Sequence, residues 1–156
     1  MTTRRATLLA AALLGFAVAF PAMVVAQNYP ASVKELVANT RKQIKTVNMS
    51  GLKAVYDAKM AVLIVDVREP EEYADGHIPG AVNVPRGLIE FTIWEHVGFP
   101  AKTDMNRRMF LYCKTGGRCT LAAKSLQDLG FTDVTAVVMT IDEWKKAGYP
   151  LETAQQ

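Results

Sequence analysis

Two cysteines are the strongest nucleophiles in this 156-residue chain, and both stand in one short stretch, Cys113-Lys114-Thr115-Gly116-Gly117-Arg118-Cys119. A cysteine attacks as its thiolate, so its surroundings must pull the thiol pKa down from about 8.5. The residues around Cys113 are suited to that. The apolar run 110–112 reads as a buried strand ending at the cysteine. Gly116 and Gly117 let the backbone turn its N–H groups inward without steric cost, making a concave nest of donors. The run 120–126, Thr-Leu-Ala-Ala-Lys-Ser-Leu, forms a helix whose opening adds the positive end of its dipole. Lys114 and Arg118 add full charges that would attract an anionic substrate, or would simply be solvated. The stretch therefore predicts a strand, a tight anion-binding loop and a helix, with Cys113 as nucleophile and Lys114, Thr115, Gly116, Gly117, Arg118 and Cys119 around the bound group. A structural cysteine in a turn is the plainer alternative.

A second pair of candidates lies upstream. The continuous apolar run 61–65 is typical of a strand buried in a parallel sheet, and Asp66 and Arg68 follow at its C-terminal end. Ligands of open parallel sheets sit outside those strand ends, so both residues should approach the Cys113 loop. Arg68 could equally pair with Glu71 or Glu72 at the start of a helix. The two histidines, His77 and His96, are distant in sequence with no further Cys or His cluster, so no metal site is expected. His77, in Gly-His-Ile-Pro-Gly, reads as a residue that anchors a turn.

The loop Cys113-Lys114-Thr115-Gly116-Gly117-Arg118 resembles the active-site loop of the rhodanese family, whose pattern is Cys-x-x-Gly-x-Arg followed by Ser or Thr. Asp66-Val67-Arg68-Glu69-Pro70-Glu71-Glu72-Tyr73, with Gly76-His77-Ile78-Pro79-Gly80-Ala81-Val82-Asn83-Val84-Pro85, is similar to the family's other hallmark. The resemblance covers roughly residues 50–151 and implies a three-layer α/β fold: a central, mostly parallel sheet with helices on both faces. It implies a sulfurtransferase in which Cys113 takes the sulfane sulfur of thiosulfate or polysulfide as a persulfide. A thiol, cyanide or a protein would then accept that sulfur. No cofactor is implied, and Asp66 and Arg68 would support the loop. Two departures stand out: Cys119 replaces the usual hydroxyl residue, and Met139-Thr140 replaces a Gly-Gly pair before the last helix. Other classes stay open, including a thiol-redox protein using the Cys113/Cys119 pair and a sulfur carrier or binding module. Related phosphatases and arsenate reductases carry a loop one residue longer.

The remaining chain must position these groups. Half of the residues are hydrophobic, which suits one domain with a single sizeable core. Residues 1–26 have the layout of a secretory signal: Arg4-Arg5, an apolar run, Pro21, then the small-residue site Val24-Val25-Ala26. Cleavage there predicts a periplasmic or secreted protein without membrane attachment; an uncleaved anchor is the competitor. It also removes two of the eighteen basic residues and none of the fifteen acidic ones, leaving a net charge of +1 and no suggestion of nucleic-acid binding. In an oxidising compartment Cys113 and Cys119 could form a disulfide. Residues 27–49 are expected to form a helical extension, opened by the capping pattern Ser32-x-x-Glu35, with Val33, Leu36, Val37, Ile44 and Val47 on one face. Lys34, Arg41, Lys42 and Lys45 read as its solvated face. By resemblance to periplasmic polysulfide-handling members, such an extension leaves a homodimer open. The domain proper is set at 50–152: Ser50 caps a helix, 82–84 is a short strand, 98–108 is a loop that could border the site, 134–138 is the last strand and 141–147 the last helix. Residues 153–156 are a tail.

Overall fold

The computed structural model describes residues 29–153; the signal-peptide reading of 1–26 and the last three residues, 154–156, lie outside that range. Five strands form one sheet: β1 (Lys45–Asn48), β2 (Leu63–Asp66), β3 (Val82–Asn83), β4 (Met109–Tyr112) and β5 (Val134–Val138), in spatial order β1-β5-β4-β2-β3. Every pairing is parallel, with Asp66 opposite Tyr112 and Leu111 opposite Ala136. Such a sheet needs cover on both faces, which is why β2, β4 and most of β5 are buried throughout.

Alternation along the strands divides the core in two. Leu63, Val65, Met109, Leu111, Val134 and Ala136 point to one face, covered by α4 (Ile89–Thr92), the 3-10 turn Ile93–His96 and α5 (Gly117–Asp128). Ile64, Phe110, Tyr112 and Val137 point to the other, where α2 (Met49–Asp57) contributes Leu52 and α6 (Ile141–Lys146) contributes Ile141 and Trp144. α1 (Ala31–Arg41) packs on the outside of α5, and α3 (Pro70–Ala74) opens with a reciprocal Glu69/Glu72 capping box. Gly130, at φ +99°, ends α5: its N–H bonds to the Gln127 carbonyl and that of Phe131 to Leu126.

Several expectations need correction. The helical extension stops at Arg41, and Lys45–Asn48 is an edge strand of the sheet, so residues set outside the domain complete it. The run Ile44-Lys45-Thr46-Val47 is rich in β-branched residues, and Ile44 and Val47 pack against opposite cores, which a strand permits and one helical face does not. Neither serine caps: α1 starts after Pro30 with no side-chain cap, and Asn48 caps α2 by accepting from the Gly51 N–H at 3.0 Å. The loop 98–108 joins the N-terminal ends of β2, β4 and β5. Arg108 accepts from the Leu63 N–H and Met105 from Thr132, so the loop borders the opposite end of the sheet from Cys113.

Candidate active site

β4 delivers Cys113 to the C-terminal edge of the sheet, where the chain must turn into α5 within three residues. Gly116 makes that turn at φ +82°, a left-handed conformation that is costly for other residues. A side chain there would also approach the Val138 backbone at 3.5 Å and the Arg41 guanidinium at 3.6 Å. Three bonds brace the loop. Thr120 Oγ1 donates to the Gly116 carbonyl at 2.7 Å, Ile141 N–H donates to the Lys114 carbonyl at 3.2 Å, and Arg41 Nη2 reaches the Gly116 carbonyl at 3.4 Å.

Cys113 is fully buried beneath this loop, and the Cys119 N–H donates to its sulfur at 3.4 Å. The Cys119 side chain, donating to the same sulfur, is the largest influence on its pKa. Burial opposes it, and the N–H groups of Cys119, Thr115 and Gly116 add to it, bringing Cys113 down to about 6. The sulfur is therefore mostly thiolate at neutral pH. Cys119 is driven the other way. Its hydrogen bond to Cys113, its own burial and the adjacent thiolate push its pKa well up, against the opposing charge of Arg41. Its thiol also lies 3.4 Å from the carbonyls of Gly116 and Val137. Both cysteines are free, one a populated anion and the other a proton donor.

Asp66 and Arg68 do come to the loop. Asp66 pairs in register with Tyr112, and the Val67 N–H bonds to the Tyr112 carbonyl at 2.9 Å, immediately before Cys113. Arg68 does not pair with Glu71 or Glu72. Its Nε lies 3.0 Å from both Asp66 oxygens, Nη2 donates to the Gly76 carbonyl at 2.8 Å, and the guanidinium lies 5.8 Å from the centre of the Tyr112 ring. Burial works against the Arg68 charge, but Asp66 outweighs it and holds the guanidinium above its ordinary pKa. Glu72 goes instead to Arg118, which binds it through two bonds of 2.6 and 2.9 Å. That pairing holds the Glu72 carboxyl below its usual range. Arg118, expected to face a substrate, is thus tied to α3.

The loop separates two clefts. On the α3 side a cleft of about 210 Å³ is bordered by Arg68, Glu72, Lys114 and Lys145. On the other, a cleft of about 350 Å³ runs between the loop and α1, walled by Val33, Val37, Ala38 and Leu121, with Lys34, Arg41, Lys114 and Arg118 also lining it. The sequence sets the α1 segment outside the region shared with the family, and Arg41 reads there as part of a solvated face, whereas Arg41 lines this cleft. Nothing near Arg41 signals its approach to Gly116, 75 positions away, and Glu72 reads in the sequence only as a partner for Arg68, not for Arg118. Met139 is buried, and Thr140 caps α6 by accepting from the Glu143 N–H at 3.0 Å. His77 anchors its turn: it stacks on Tyr73 at 3.6 Å and contacts the Glu152 carboxylate at 3.1 Å. Among the described residues no cluster of three or more His, Cys, Asp or Glu side chains is arranged to hold a metal.

A family model described as Rhodanese-like domain matches residues 50–147. The Pseudomonas putida protein named Thiosulfate sulfurtransferase GlpE is 32% identical over 97 residues, covering 62% of this chain and 81% of that protein. A Bacillus subtilis protein named Putative sulfur carrier protein YrkF is 32% identical over 101 residues, 65% of this chain but only 51% of its own length, so this chain spans about half of it. Among solved structures, a Rhodopseudomonas palustris protein of unknown function, titled a possible tyrosine phosphatase, superposes with TM-score 0.66 at 30% identity, over 81% of this chain and 98% of that one. Thiosulfate sulfurtransferase from Pseudomonas aeruginosa superposes with TM-score 0.65 at 27% identity, over 78% of this chain and 22% of that one.

Proposed function

This chain belongs to the rhodanese-like domain family, and on that premise we propose that it is a sulfurtransferase whose nucleophile is Cys113. One observation carries the reading: the Cys113 sulfur sits under the loop N–H groups at the start of α5 with its pKa lowered to about 6. Attack needs no general base, because the thiolate is already populated at neutral pH.

The chemistry balances simply. The Cys113 thiolate attacks the outer sulfur of thiosulfate, an S–S bond forms to Cys113, and the donor's S–S bond breaks with its electron pair leaving on sulfite. Polysulfide would react in the same way and release a polysulfide shorter by one sulfur. The persulfide anion takes the place of the thiolate among the N–H donors of Thr115, Gly116 and Cys119, and the Cys119 thiol replaces the usual hydroxyl as a weaker donor. A thiolate acceptor then attacks the outer sulfur and returns the electron pair to Cys113. The six-residue loop from Cys113 to Arg118 favours this over phosphoryl or arsenate chemistry, for which a longer loop is expected. The proposal includes export through residues 1–26, which N-terminal sequencing of protein from separated cell fractions tests.

Intact-mass measurement of the reduced protein after thiosulfate or polysulfide, with sulfite release followed in parallel, tests the chemistry. The wild type and Cys119→Ser should each gain one sulfur atom, and Cys113→Ser should gain none. If the wild type gains no sulfur from either donor, the transferase reading fails. A second reading has one observation behind it, the contact between the two thiols. Cys119 would attack the inner sulfur of the Cys113 persulfide, form a disulfide and release hydrogen sulfide. Loss of sulfur from the loaded wild type with a gain of one disulfide, absent in Cys119→Ser, would favour it.

A further inference from the structure

The cleft between α1 and the loop is built for something larger and less polar than thiosulfate. It holds about 350 Å³, within the range of organic ligand sites, and Val33, Val37, Ala38 and Leu121 form its walls. Its inner end is the loop itself, through Lys114, Thr115 and Gly117. Arg41 stands at that end. Its Nη2 makes a long, 3.4 Å contact with the Gly116 carbonyl, and its Nε is buried with no hydrogen-bond partner. Among the described residues no carboxylate pairs with it, whereas Arg118 and Arg68 each have one. A guanidinium in the wall of an apolar cleft with no carboxylate of its own is a ready site for an anion.

We propose that α1 forms the acceptor subsite and that Arg41 is a specificity-determining residue for thiols that carry a carboxylate on an apolar body. This rests on the sulfurtransferase reading above. Thiosulfate and sulfite have no apolar part to place against Val33 and Val37, so the organic reactant, the acceptor thiol, is the one the cleft suits. With its carboxylate on Arg41 and its carbon chain along α1, the acceptor presents its thiolate to the persulfide. Its sulfur attacks the outer persulfide sulfur, the bond to Cys113 breaks, and the electron pair returns to the Cys113 thiolate.

The test compares mercaptohexanoate with mercaptohexanol as acceptors for protein first loaded with thiosulfate. Sulfite release during loading is measured separately as a check on the loop. The wild type should favour the carboxylate by about tenfold in kcat/KM, the equivalent of one charge-assisted hydrogen bond at about 1.4 kcal/mol. Arg41→Ala should abolish that preference, Arg41→Lys restore part of it and Arg41→Glu reverse it. Equal loss for both thiols across the three variants would make Arg41 a brace for the loop and overturn the proposal. An altered rate of loading by polysulfide with the acceptor preference intact would also overturn it, assigning the cleft to the donor. If the wild type cannot be loaded at all, it is the sulfurtransferase reading that fails first.

Discussion

The two flanks of the Cys113 loop carry similar numbers of cations but use them differently. Toward α3 the arginines are matched: Arg68 lies against Asp66, and Arg118, which also lines the α1 cleft, lies against Glu72. On the α1 side Arg41 reaches a carbonyl and keeps one buried nitrogen unpartnered. Compensated charges fix geometry, and an uncompensated one selects a ligand. The α3 flank thus reads as the scaffold of the loop and the α1 flank as its reactive face.

The contrast predicts effects of different kinds on the two sides. Replacing the sulfur they share should be most severe for activity: Cys113→Ser should abolish sulfur loading by intact mass. Next comes the scaffold. Asp66→Ala strands the buried Arg68 charge and should cost about 3–5 kcal/mol in urea unfolding, whereas Arg41→Ala should cost about 0.5 kcal/mol or less. Equal costs would erase the distinction between the flanks. Gly116→Ala forces a left-handed non-glycine residue and should lose about 1–2 kcal/mol, with slower loading. Glu72→Gln should be mild, about 0.2–1 kcal/mol because the pair is partly exposed, and should free Arg118 to speed loading by anionic donors at low salt.

A pH profile sharpens the picture from the sulfur itself. Loading should be constant above neutrality and fall as pH drops through about 6, where Cys113 takes up its proton. The folded pKa lies below that of the unfolded thiol, so the anion's contribution to stability is fully present above the unfolded value. It is lost as pH falls through about 6. Cys119→Ser keeps a donor at the position but changes its strength, so the acid limb should shift while loading survives.

Much of this was legible in the chain. Continuous apolar runs predicted β2, β4 and β5, because strands buried on both faces leave a simple composition signal. Cys113 and its cradle were readable because the loop, the glycines and the helix start are contiguous. β1 was missed because four residues, Lys45–Asn48, show too short a pattern to separate from the helix before them. The fate of the arginines was hidden for a different reason. Arg118 meets Glu72 across 46 positions and Arg41 meets Gly116 across 75, and neither contact leaves a local trace.

The edge strand bears on how the sheet ends. The match to the family model begins at residue 50, yet β5, an almost wholly apolar strand, has β1 as its outer neighbour. A chain trimmed to that boundary would present Val134–Val138 as a bare row of unpaired amides and carbonyls, a template on which other copies could stack. In the intact chain the rim is instead a short, largely exposed strand bearing Lys45, a poor surface for sticking. The segment that lends the reaction its selective wall is thus continuous with the one that guards the sheet against aggregation.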